Sequence, residues 1–123
     1  MSFCTAITCI DGRVQLPVIK YLQQRFGVKY VDLVTEAGIN HVLALQVDDA
    51  RISSINDRVD ISIRRHKSVG IAVVGHYDCA ANPASERQQA EHTRAAVLWV
   101  KDRFAGLPVI GLWVDRNWQV REI

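Results

Sequence analysis

The sequence is poor in the features that mark several classes of protein. No segment approaches the ~20 consecutive apolar residues that span a bilayer, and the N-terminus has no basic stretch followed by an apolar core and a cleavage site. A membrane span and a secretory leader are therefore not expected. Cysteine is scarce: Cys4, Cys9 and Cys79 are odd in number and irregular in spacing, which excludes a disulfide framework. The expected location is cytoplasmic and reducing, where free thiols more often bind metals or do chemistry. Charge of one sign is not in excess, with 15 basic and 13 acidic residues giving a net charge of +2. Nucleic-acid binders usually concentrate Lys and Arg on one face. The densest basic run, Arg64-Arg65-His66-Lys67, reads as a solvated helix C-terminus where cations offset the macrodipole, with a phosphate or membrane patch as the alternative. Repeats, low-complexity tracts and Pro/Ser-rich linkers are absent, so residues 1–123 read as a single domain. Aromatics make up only 7% of a chain that is 49% hydrophobic, and the prominence of Val and Ile suits a buried parallel sheet.

What is present is an alternation of strand and helix signals. Residues 3–10 form a short apolar, β-branched run, a central strand. Val14, Val18, Leu22 and Phe26 then recur every four residues, one face of a helix. Pro17 is expected in its first turn, where its missing N–H costs nothing, and Gly27 is placed to end it. Residues 29–35 read as a second strand. After Asp48 or Asp49 as cap, Ile52, Ile55, Val59 and Ile63 mark another inward helical face, and residues 71–75 are the clearest buried strand. A further helix opens at Asn82-Pro83, or at Ser85 with Gln88 as a capping box, with Ala90, Val97, Val100 and Phe104 on its apolar face. Residues 108–114 form the next strand, and after an Asp115-Arg116-Asn117 turn residues 118–123 return as a short edge strand. This order predicts a doubly wound α/β domain, with a mainly parallel four-stranded sheet in the order 2-1-3-4, an antiparallel C-terminal edge strand and helices on both faces. Ligands in such sheets bind beyond the carboxyl ends of the strands at the switch point, here between the first and third strands.

Cys9 ends the first strand, and His76 and Cys79 follow the third. Two thiolates and an imidazole are zinc ligands, and three protein ligands leave the open fourth position of a catalytic site. The competing reading of a strand-end cysteine is core packing. Cys4, five residues before Cys9, points to the opposite face and reads as core.

The motifs carry a resemblance. CIDGR at 9–13 matches the Cys-x-Asp-x-Arg motif of β-class carbonic anhydrases, and VVGHYDC at 73–79 matches their apolar strand followed by Gly-His-x-x-Cys. VDLVTEAGIN at 31–40 resembles the family's second strand and Ala-Gly turn, and VIGLWVDRNWQV its last strand and hairpin. The likeness runs in order over nearly the whole chain. It implies Cys9, His76 and Cys79 as zinc ligands and Asp11 and Arg13 as a catalytic dyad. The implied reaction is reversible hydration of CO2 to bicarbonate by a zinc-bound hydroxide. In family members the Asp can also ligate the zinc and release the Arg. Without the resemblance, Asp11-Gly12 reads as turn chemistry. Family sites lie at a dimer interface, so a homodimer or higher homo-oligomer is implied, with Trp99, Trp113 and Trp118 as interface or core candidates. His41 reads as a proton shuttle or as a surface or capping residue.

Departures from the pattern set the alternatives. The chain lacks the family's N-terminal helical arm, Glu36 stands where a cation-bearing residue is usual, and Ala80-Ala81 replaces Gly-Gly. The alternatives are hydrolysis of carbonyl sulfide or carbon disulfide on the same zinc, a non-catalytic zinc-binding protein, and a metal-free thiol enzyme using Cys79 at a helix N-terminus.

Overall fold

The computed structural model describes residues 2–123. In chain order the elements are β1 (Phe3–Thr8), α1 (Gly12–Phe26), β2 (Tyr30–Thr35), α2 (Ile39–Leu45), α3 (Asp49–Arg65), β3 (Ile71–His76), α4 (Glu86–Arg103), β4 (Val109–Val114) and β5 (Val120–Glu122). The strands form one sheet in the order β2-β1-β3-β4-β5, parallel except for the antiparallel β4–β5 pair. The expected doubly wound sheet and its antiparallel edge are both present.

Alternation along the buried strands splits the core into two layers. Ile7, Ile71, Val73 and Val109 face α2, α3 and α4, packing with Ile39, Leu43, Ile55, Val59, Ala96 and Val100. Cys4, Ala6, Ala72, Val74, Ile110, Leu112 and Val114 face α1 alone, against Val14, Val18 and Leu22. Cys4 is a core residue, as its place in the strand predicts.

Three elements differ from the sequence expectation. α1 starts behind the Asp11 N-cap, five residues before Pro17, so Pro17 lies in the helix interior. The Arg13 carbonyl therefore has no i+4 N–H partner. α2 carries no long periodic signal; it is seven residues bounded by left-handed backbone at Gly38 and Gln46. α4 takes the Ser85 start rather than Asn82-Pro83: Ser85 Oγ accepts the Gln88 N–H and Gln88 Oε1 accepts the Ser85 N–H. Its most buried face is Gln89, Thr93, Ala96 and Val100, whereas Ala90, Val97 and Phe104 are only half-buried.

The registers place the site. β1 pairs with β2 as far as Thr8↔Thr35, and β3 pairs with β4 as far as His76↔Val114. Between β1 and β3 the ladder stops at Ile7↔Val73. The two central strands thus lose their pairing just before the residues that carry chemistry.

Candidate metal centre

Cys9 follows β1, His76 is the last residue of β3, and Cys79 lies in the turn after it. All three are buried. Their ligand atoms lie within 4.8 Å of one another, the one such group of three or more His, Cys, Asp or Glu among the described residues. The Cys9 and Cys79 sulfurs are 3.9 Å apart. That is far beyond a disulfide bond and near the ~3.8 Å expected for two thiolates at about 2.3 Å from a tetrahedral zinc. His76 Nδ1 is 2.8 Å from the Tyr77 carbonyl. A carbonyl only accepts, so Nδ1 carries the proton and Nε2 keeps its lone pair. Nε2 is buried and has no hydrogen-bond partner. An orphaned buried nitrogen beside two sulfurs is what a metal ligand looks like before the ion is added. The donor set fits zinc.

The electrostatics agree. Cys9 is pulled well below the ordinary thiol range by its contact with Cys79, against the effect of burial, with help from His76 and from the N–H groups of Gly38 and Asp11. The same contact, reinforced by burial, pushes Cys79 up. Burial works against a charged His76, but the Cys9 sulfur and the Tyr77 carbonyl raise its pKa on balance. Cys79 sits seven residues before Glu86, the first residue of α4. Cys79 is therefore not the helix N-terminal nucleophile that a thiol enzyme requires.

Asp11 caps α1 by accepting the Arg13 backbone N–H at 2.9 Å. Its carboxylate also receives Arg13 Nε at 3.0 Å and Nη2 at 2.6 Å, a two-pronged charge-assisted contact. These side-chain bonds hold Asp11 down to about 2. Asp11 Oδ2 lies 4.0 Å from His76 Nδ1. The carboxylate is engaged with Arg13 and stands beside the centre rather than within its ligand set. Arg13 reaches further, with Nη1 3.3 Å from Asp78 Oδ2, Nη2 3.1 Å from the Asp78 carbonyl, and its guanidinium 4.6 Å from the centre of the Trp118 ring. Gln15, a turn further along α1, donates to the carbonyls of Cys9 and Asp11 at 2.8 Å each.

A buried amide network backs the ligands on the α4 side. Gln89 Nε2 donates to the carbonyls of His76 and Asn82 at 2.8 and 3.1 Å. Asn40 Nδ2 donates to Gln89 Oε1 and Thr93 Oγ1, and Asn40 Oδ1 accepts from Asn82. This explains why α4 buries polar residues, and why residue 75 is glycine: a Cβ there would come within 2.7 Å of Thr93 Oγ1. Hydrophobic periodicity cannot find such residues; their one sequence signal is Gln89 and Thr93 four apart on a single helical face. Gly38 is equally constrained. Its φ is +61°, an added Cβ would lie 2.9 Å from the Ala81 carbonyl oxygen, and its N–H points at Cys9 Sγ from 3.5 Å. Ala81 thus packs against Gly38.

The remaining candidates fall elsewhere. Glu36 pairs with Arg58 at 3.3 Å and lies 3.8 Å from Arg51, so its charge is answered by α3. His41 stacks edge-on against His92 with ring centroids 5.0 Å apart. Trp113 is core, Trp99 is half-buried against the α3–α4 layer, and Trp118 is half-buried over Arg13. A cleft of about 680 Å³ lined by Tyr77, Pro83, Glu86, Trp113 and Arg121 meets the centre only at Cys79.

Known proteins extend these observations. Two solved structures share the fold. One is the β-carbonic anhydrase CafA of the fungal pathogen Aspergillus fumigatus, at 18% identity and a TM-score of 0.53, with 98% of this chain and 74% of that chain covered. The other comes from two tetrameric β-carbonic anhydrases of the filamentous ascomycete Sordaria macrospora, at 14% identity and a TM-score of 0.52, with 98% and 79% covered. No curated protein matches the sequence. The family described as "Putative carbonic anhydrase" matches residues 1–123. A match over the whole chain makes the protein a member of this putative carbonic anhydrase family, with the fold of the β-carbonic anhydrases.

Proposed function

We propose that the chain is a zinc-dependent, carbonic anhydrase-like lyase that hydrates CO2 reversibly to bicarbonate. The observation that supports this best is the pair of sulfurs 3.9 Å apart beside an unpartnered, buried His76 Nε2. Cys9, His76 and Cys79 would hold the ion. Zinc, when bound, supplies Lewis acidity that makes water a competent nucleophile at about neutral pH. Asp11 then does what a pinned carboxylate can do: it stays ionised, accepts a hydrogen bond from the attacking water and aims a lone pair at the substrate carbon. Arg13 keeps that carboxylate charged and fixed in direction. The Tyr77 carbonyl holds the His76 ring in the tautomer a ligand needs.

The test joins metal content to rate. The purified chain should hold about one zinc, and Asp11→Asn should keep it while CO2 hydration in stopped flow falls about a hundredfold or more. Zinc-free protein, or an unchanged rate in Asp11→Asn, would sink the reading. Carbonyl sulfide and carbon disulfide offer a similar electrophilic carbon, so sulfide release in place of CO2 hydration would reassign the substrate. A cytoplasmic homodimer or larger homo-oligomer completes the proposal. Exposed Ile10, within the Cys9–Arg13 segment, and Leu16, just beyond it, supply apolar surface for a partner subunit. A single-chain mass by light scattering would remove that part. Among the described residues no helix is long and apolar enough to cross a membrane.

A further inference from the structure

Arg13 takes part in more contacts than its pairing with Asp11 requires. Two of the four non-glycine residues with left-handed backbone among the described residues, Asp78 (φ 57°) and Trp118 (φ 59°), both touch it. A bulky residue at positive φ is an outlier that persists only where surrounding structure holds it. Trp118 closes the β4–β5 hairpin, where its N–H bonds the Asp115 carbonyl at 2.9 Å. Asp115 Oδ1 also accepts the N–H groups of Asn117 and Gln119. The position after a turn of this kind usually holds Gly, because it needs positive φ. Here it holds the largest side chain available, with its ring under a guanidinium.

We propose that Trp118 is a positioning residue for the Asp11–Arg13 pair: its indole, carried on left-handed backbone at the hairpin, fixes the plane from which Arg13 grips Asp11. This rests on the reading of Asp11 as the carboxylate that orients water. Asp78 is the weaker anchor. Its carboxylate is 69% exposed and 3.3 Å away, and exposed ion pairs contribute little. Its backbone carbonyl survives any side-chain change. Trp118 is half-buried and lies against the guanidinium face. It therefore couples β5, the far edge of the sheet, to the N-terminus of α1 beside β1.

Trp118→Leu keeps an apolar side chain against the α1 layer and removes the aromatic face, whereas Trp118→Phe keeps a face. The Arg13 Nε–H, assigned through Arg13→Lys and followed by nitrogen-resolved NMR on zinc-loaded protein, should exchange about two- to fivefold faster in Trp118→Leu than in wild type. Trp118→Phe should recover most of the difference. CO2 hydration should follow the same order through kcat, with KM and zinc content unchanged. Equal exchange in all three proteins, or equal losses in the Leu and Phe variants, would overturn the proposal, the second by reducing Trp118 to packing. If wild type hydrates no CO2, the functional reading fails by itself and the exchange series still decides the role of Trp118.

Discussion

The three cysteines show how burial and neighbours give one residue type two fates. Cys4 is buried among Ala6, Ala72 and Val74. Burial, with Asp32 adding like charge, pushes its thiol up to about 12. It therefore stays a neutral thiol through the physiological range and becomes a thiolate only as pH rises through about 12. Alkylation by iodoacetamide at about pH 8 should spare Cys4 in folded protein. Cys9, whose thiol is held low, should be protected while metal is bound and should be the first to label after chelation, ahead of Cys79, whose thiol the same contact pushes up. Denaturation should expose all three thiols, as mass spectrometry would show. Native labelling of Cys4 would contradict its placement. The residue types of the centre were legible because Cys9, His76 and Cys79 sit at strand ends in a recognisable order. The Asp11–Arg13 contact was legible only through resemblance, since Asp-Gly at a helix start is ordinary turn chemistry. Trp118 was not legible as a partner of Arg13, because its backbone conformation contradicts its side-chain type.

At the scale of elements, α4 carries the most instructive error. A hydrophobic period selects Ala90, Val97, Val100 and Phe104, whereas the helix turns Gln89 and Thr93 inward at its N-terminal half. It does so because the β3 end and the Asn82 turn present carbonyls that need donors. α2 escaped notice for a related reason: seven residues are too few to show a period, and its limits are set by two left-handed residues rather than by a side-chain cap. The network makes a prediction about both stability and metal. Gln89→Leu would leave the His76 and Asn82 carbonyls and the Asn40 amide short of partners, at about 1–3 kcal/mol for each group that water cannot reach. Urea unfolding should show a loss of several kcal/mol at most, and competition with a zinc chelator should show about 10- to 100-fold weaker binding. A variant of wild-type stability and wild-type zinc affinity would show that the network is dispensable.

The whole molecule was the most legible level, because buried Val- and Ile-rich strands alternating with amphipathic helices leave few topologies open. The order 2-1-3-4 with an antiparallel fifth strand followed from that pattern, and it places the two motif clusters at one crevice. The distribution of helices did not follow: α1 covers one face alone while α2, α3 and α4 share the other. The early end of the β1–β3 ladder carries a mechanical meaning. Beyond Ile7 and Val73 the two central strands part in a short unstitched seam, with Cys9 on one lip and His76 and Cys79 on the other. An ion held by all three would act as a rivet across that seam. Its removal should leave the distant β1–β2 ladder intact and let the lips breathe. Hydrogen exchange after chelation should therefore quicken in residues 9–13 and 75–82 well before residues 3–7 or 30–34, the signature of a clasp opening rather than of a fold dissolving.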